Sequence, residues 1–221
     1  MPRKKRLVLP NCPHHVLHRG HDGDVVFVGN DDYRYYLDNL WTSAQELGCK
    51  VYAYCLMLSQ VHLIVDPGDN LASLGRLMKT VAGRQAGYAK RCGMLTGTPL
   101  WEGRYRSSPI VASEFLLACC RYIEFNPVRV HLAMKPDEYV WSSCRTKLGL
   151  DSATIHYDPA YLALGQTPQE RAECYRHYMT QPVPYQEWTV IRGAVQTGTF
   201  TGLPPINADG HAELAIVPLA N

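Results

Sequence analysis

Residues 49–66 read C-K-V-Y-A-Y-C-L-M-L-S-Q-V-H-L-I-V-D, and how this stretch folds decides the architecture of the whole chain. Two apolar runs, 49–57 and 60–66, leave only Leu58 and Ser59 between them. That spacing predicts two strands of an antiparallel hairpin, and because no Asn-Gly pair is present its turn type stays open. Successive strand side chains point to opposite faces, so Gln60, His62, Ile64 and Asp66 share one face and Val61, Leu63 and Val65 the other. An amide oxygen and an imidazole nitrogen on one face can converge on a metal ion; the alternative is a half-buried, hydrogen-bonded strand histidine.

Outward from the hairpin the pattern alternates. Upstream, H-H-V-L-H-R (14–19) reads as a short strand, and Gly20 and Gly23 mark a turn. The stretch from Asn30 then carries Tyr33, Tyr36, Leu37, Leu40, Trp41, Ala44 and Leu47 at helical spacing, with Asn30 or Asp31 as N-cap and Gly48 as its stop. Downstream, 71–91 predicts a long helix, 105–111 a strand, and 113–126 a helix capped by Ser113, with Pro127 just beyond its end. Strand, helix, strand, strand, helix, strand, helix is the order of an α+β, ferredoxin-like split β-α-β sheet with one additional helix.

Composition limits the function classes. The chain has 221 residues, 46% hydrophobic and 19% charged, enough for a real core: one domain over 1–150 and an appendage over 151–221. No run of about 18 apolar residues is present and no apolar segment follows the basic start M-P-R-K-K-R-L, so a soluble, cytoplasmic protein with no membrane partner is expected. Eight cysteines without a C-x-x-C suit reduced, packed thiols better than disulfides or zinc. Residues 1–150 hold 19 Lys+Arg against 13 Asp+Glu (+6), and 151–221 hold 3 against 7 (−4). The first part is therefore the candidate for contact with a polyanion.

Several cations cluster by periodicity. On the helix from 71, Arg76, Lys79, Arg84, Lys90 and Arg91 oppose an apolar arc, which is either a phosphate-binding face or a solvated one. Arg104 and Arg106 flank Tyr105 near Trp101, a ring equally suited to stacking on an unpaired base or to the core. In R-Y-I-E-F-N-P-V-R (121–129), Tyr122 and Asn126 are four residues apart, so a helix presents phenol and amide on one face; the alternative is a core tyrosine and a helix-terminal asparagine.

Five segments taken together, H-R-G-H-D-G-D-V-V-F, A-Y-C-L-M-L-S-Q-V-H-L-I-V, L-W-E-G-R-Y-R-S, R-Y-I-E-F-N-P-V-R and Y-V-W-S-S, resemble those of the REP-associated tyrosine transposases, in the single-tyrosine branch of the HUH nuclease superfamily. The resemblance runs from about residue 7 to about residue 145 in the family's order. It implies cleavage and joining of single-stranded DNA at REP hairpins, with a 5′-phosphotyrosine intermediate and a free 3′-hydroxyl. Tyr122 matches the nucleophile; Gln60, His62 and Asn126 match the ligands of a divalent metal, Mg²⁺ or Mn²⁺. Arg3, Lys4, Lys5, Arg6, His18 and Arg19, with Arg76, Lys79, Arg84, Lys90, Arg91, Trp101, Arg104 and Arg106, are the expected DNA contacts. A nucleoid location and a monomer are implied, with the homodimer of insertion-sequence relatives as the alternative.

One departure bears on the chemistry. Family members read Asn-His-Val-His where this chain reads Ser59-Gln60-Val61-His62, so an amide replaces one imidazole. The expectation is weaker metal affinity with activity retained, compensated if Asp66, His14 or His18 supplies a further ligand. The alternative is a hairpin-binding protein without catalysis. An RNA-binding reading would need aromatic residues on the open face of the sheet, and the strands lack that pattern.

Overall fold

The computed structural model describes residues 6–201, apart from Thr96, Ala112, Ser113, Ala153 and the side chains of Glu114 and Tyr185. The expectations placed on Arg3, Lys4, Lys5, the Ser113 cap and the chain after 201 lie outside the described residues.

Strand β1 (His14–Arg19) is followed by helix α1 (Asn30–Glu46), the hairpin β2 (Lys50–Met57) and β3 (Gln60–Asp66), helix α2 (Ala72–Arg91) and strand β4 (Arg106–Pro109). The sheet order is β2-β3-β1-β4 and every pairing is antiparallel. This is the ferredoxin-like arrangement, with both crossover helices on one face. Asp32 starts α1, its carboxylate accepting the N–H groups of Val28 at 2.6 Å and Gly29 at 2.9 Å. The cap thus falls at Gly29, one residue before the earliest expected position. After α1, Gly48 takes φ +66°, where a side chain would be strained.

The alternation seen in the sequence sorts the sheet into two cores. Val16, Leu56, Val61, Leu63 and Val65 pack under α1 and α2 with Tyr36, Leu40, Leu74 and Leu77. The other face carries Tyr52, Ala53, Cys55, Met57 and Ile64 against helix α3 (Glu114–Glu124), which supplies Leu116, Cys119, Cys120, Tyr122 and Ile123. A bulge at Tyr52 puts both it and Ala53 on this second face. Burying a side chain such as Ile64 completely contributes on the order of 1.5–3 kcal/mol.

Helix α3 ends at Glu124, two residues short of the expected Asn126, and Pro127 lies just beyond it as expected, in the first turn of the short helix α4 (Asn126–Arg129), where its missing N–H costs nothing. That extra turn carries Arg129 back over Tyr122.

The remaining α-helices among the described residues are α5 (Cys144–Lys147), α6 (Pro159–Leu162), α7 (Pro168–Thr180) and α8 (Tyr185–Thr197). Helix α8 packs on α3, β1 and β4. It is held by Arg121 of α3, whose Nη2 donates to both Glu187 carboxylate oxygens at 2.9 and 3.0 Å. Among the described residues no helix is long and apolar enough to cross a membrane.

Candidate active site

The pairing register of β1 and β3 sets the floor of the site. His15 lies opposite Ile64 and Leu17 opposite His62, so His15 and Leu17 share the α3 face with Gln60 and His62. His15 is diagonal to His62, and its Nε2 comes within 2.9 Å of His62 Nδ1 with the rings stacked at 5.2 Å. Burial holds both imidazoles neutral: His62 titrates well below the ordinary range, through desolvation and then His15, Arg129 and Arg19, and His15 falls to about 3 through desolvation and then Arg129.

His15 Nδ1 is buried with no partner among the described residues. One proton lies between His15 Nε2 and His62 Nδ1, and His62 lines the cleft.

Helices α3 and α4 form the wall. The Tyr122 ring stands edge-on to His15 at 5.7 Å and to His62 at 6.3 Å. The Arg129 guanidinium lies over Tyr122 at 4.1 Å and over Trp188 of α8 at 4.4 Å, and its Nη2 donates to Asn126 Oδ1. Burial lowers the Arg129 pKa, and the adjacent Tyr122 phenol is the first group to oppose that. Three donors in these walls, Asn126 Nδ2, Arg129 Nη1 and Trp188 Nε1, are buried without a partner among the described residues.

These groups line a cleft of roughly 500 Å³, together with Arg19 and Arg192. Among the described residues, three guanidinium groups and no carboxylate face it. Unfilled donors and positive charge suit an anion with several acceptor oxygens, such as a phosphodiester.

Tested against this arrangement, the expected divalent ion does not fit. Asn126 gives its oxygen to Arg129, and His62 has Nδ1 engaged by His15. Gln60 keeps a carbonyl oxygen, its amide nitrogen donating weakly to the Met57 sulfur at 3.6 Å. Among the described residues no group of three or more His, Cys, Asp or Glu is placed to hold a metal. A hard dication would meet one neutral oxygen and three like charges.

The anticipated compensating ligands are corrected. His14 and His18 have the opposite phase to His15: His14 Nδ1 bonds the Cys12 carbonyl at 2.7 Å, and His18 stacks on Trp101 at 4.0 Å. Asp66 is four residues along β3 from His62 and accepts from the Tyr52 hydroxyl at 3.3 Å.

Among the expected DNA contacts, His18 and Trp101 are also corrected. His18 is buried and bonds the Gly103 carbonyl at 2.9 Å; Trp101 is a core ring whose Nε1 donates to the Ala82 carbonyl at 3.0 Å. Arg6 is fixed on Tyr105, its guanidinium 3.9 Å from the ring centre. Arg76, Lys79, Arg84, Lys90 and Arg91 are exposed on α2, across the sheet from Tyr122, and Arg84 bonds Asn39 at 2.9 Å. Arg104 and Arg106 do adjoin the cleft, sharing a small hollow of about 70 Å³ with Arg19.

Sequence reasoning missed His15, Arg129, Trp188 and Arg192 as groups of the site. Setting β1 in antiparallel phase with β3 would have singled out His15, whereas nothing local marks α8 as a wall.

Compared with known proteins, the chain matches no family model and no curated sequence. Its fold is that of a REP-associated tyrosine transposase solved bound to a REP hairpin: the TM-score is 0.55 at 14% identity, over 72% of this chain and 96% of that one. A Deinococcus radiodurans protein provisionally described as a transposase aligns more loosely, with a TM-score of 0.37 at 21% identity over 52% of this chain and 88% of that one.

Proposed function

We propose that this protein cuts and rejoins single-stranded DNA beside a hairpin, with Tyr122 as nucleophile. The observation that carries the reading is the Tyr122 ring in a cleft faced by Arg19, Arg129 and Arg192, with no carboxylate and three unfilled donors. A phosphodiester supplies the acceptor oxygens those donors lack. The fold shared with a hairpin-bound transposase supports the same choice of substrate.

The chemistry is a phosphoryl transfer. The phenol oxygen of Tyr122 bonds to phosphorus, the bond from phosphorus to the 3′ oxygen breaks, and the phenol proton ends on that oxygen as a 3′-hydroxyl. Reversal with another 3′-hydroxyl joins strands. The guanidinium groups hold the non-bridging oxygens while charge builds up on them. Arg104, Arg106 and Arg19 lead from the edge of the sheet to the cleft and, against the single carboxylate of Glu102 among them, give the incoming backbone a net cationic path. Trp188 offers a ring beside the cleft on which a base can stack.

The displaced metal donors favour one other reading, a hairpin-binding protein without catalysis. Incubation with an end-labelled hairpin carrying single-stranded flanks separates the two. Transfer should give an adduct that survives SDS and disappears in Tyr122→Phe. Binding without an adduct under any condition selects the silent binder, and absence of binding rejects both.

A further inference from the structure

The donor set of the cleft and the donor set of a metal site point in opposite directions. A divalent ion needs lone pairs, and the groups matched to that role provide a committed amide oxygen on Asn126, an imidazole on His62 with Nδ1 engaged by His15, and a single oxygen on Gln60. What the site holds unfilled are N–H groups, on Asn126, Arg129 and Trp188. Arg129 lies between Asn126 and the Tyr122 ring.

We infer that the guanidinium of Arg129, and not a divalent cation, neutralises the scissile phosphate, so that strand transfer by this protein is independent of metal. The inference rests on the Tyr122 reading given above. A guanidinium presents two parallel N–H groups to two phosphate oxygens, and Arg129 lies against the Tyr122 phenol. Its stacking between Tyr122 and Trp188 fixes the plane of the fork next to the attacking ring. Gln60 is consistent with this exchange: a site that carries its positive charge on a side chain has no need of a second imidazole.

The experiment follows the Tyr122 adduct with the labelled hairpin in excess EDTA, then with Mg²⁺ or Mn²⁺, alongside electron paramagnetic resonance of Mn²⁺ mixed with the free protein. The expected result is an adduct in EDTA at an undiminished rate, no stimulation by either ion, and a Mn²⁺ spectrum that stays that of the free aquo ion. Arg129→Ala should lower the adduct rate by roughly a hundredfold or more, as for loss of an oxyanion donor. Added guanidinium ion should restore part of that rate, which a misfolded variant would not allow. An adduct that forms only with metal, or a tightly bound Mn²⁺ signal, overturns the inference and leaves the Tyr122 nuclease standing. No adduct under any condition overturns both.

Discussion

His15 and His62, on adjacent strands, share a hydrogen bond of 2.9 Å beneath the Tyr122 ring, and both are buried in the neutral state. In the unfolded chain each titrates near 6.5, whereas in the folded protein His15 falls to about 3. Above pH 6.5 neither state takes up the proton and stability is unaffected. As pH falls from 6.5 towards 3 the unfolded state binds protons that the folded state refuses, and stability declines by about 1.4 kcal/mol per pH unit for each such group. His15→Gln keeps a donor for His62 and removes one titrating site. Between about pH 7 and about pH 5 the variant should lose about 2 kcal/mol less than wild type in urea unfolding. An identical loss in both would show that His15 is not held neutral.

Lys147 and Glu124 are both fully buried, with Nζ 3.2 Å from Oε1. Glu124 also accepts from the Ser143 hydroxyl at 2.6 Å and from Tyr175 at 2.7 Å, tying α3 to α5 and α7. Removing only one partner strands a buried charge, so Lys147→Met should cost about 3–5 kcal/mol. The double substitution Lys147→Met with Glu124→Gln should recover much of that in chemical denaturation. A single variant as stable as wild type would mean that the pair is not a buried one.

The Arg121–Glu187 pair positions the wall that carries Trp188 and Arg192. Glu187→Gln weakens a charge-assisted bidentate contact and should cost about 2–3 kcal/mol. Affinity for a single-stranded oligonucleotide should fall with it, because Arg192 is no longer held over the cleft. Fluorescence anisotropy in low salt measures the loss, and unchanged affinity would remove α8 from the binding surface.

All eight cysteines are free thiols, and their reactivity follows burial. Cys92 and Cys174 are exposed; Cys49, Cys55, Cys119, Cys120 and Cys144 are buried. Desolvation raises the thiol pKa of Cys49 to about 11 and of Cys120 to about 12, which suppresses the thiolate. A thiol reagent at neutral pH should modify Cys92 and Cys174 rapidly, partly exposed Cys12 more slowly, and the five buried thiols only after unfolding. Fast reaction of Cys119 or Cys120 in native protein would contradict the packing of α3 on the sheet.

The fold was legible because its signals are local. The two apolar runs around Leu58 and Ser59, the helical periodicities on either side and the order of elements give the four-stranded antiparallel sheet, and strand alternation alone puts Gln60 and His62 on the face that α3 covers. The site was legible only in part. Tyr122, Gln60, His62 and Asn126 do meet in one cleft, but Trp101 and His18 belong to the opposite core and the cations of α2 lie across the sheet.

By itself, then, the sequence determined which residues form the sheet and helices and which side chains share a face, because periods of 2 and 3.6 residues are properties of the backbone. The polarity of the cleft was decided only in three dimensions. Strand register chose His15 over His14 and His18, the turn after Phe125 swung Arg129 over Tyr122, and the docking of α8 added Trp188 and Arg192. The register and the docking of α8 depend on contacts between residues 47 and 66 positions apart, and no periodicity of the chain encodes distances of that kind.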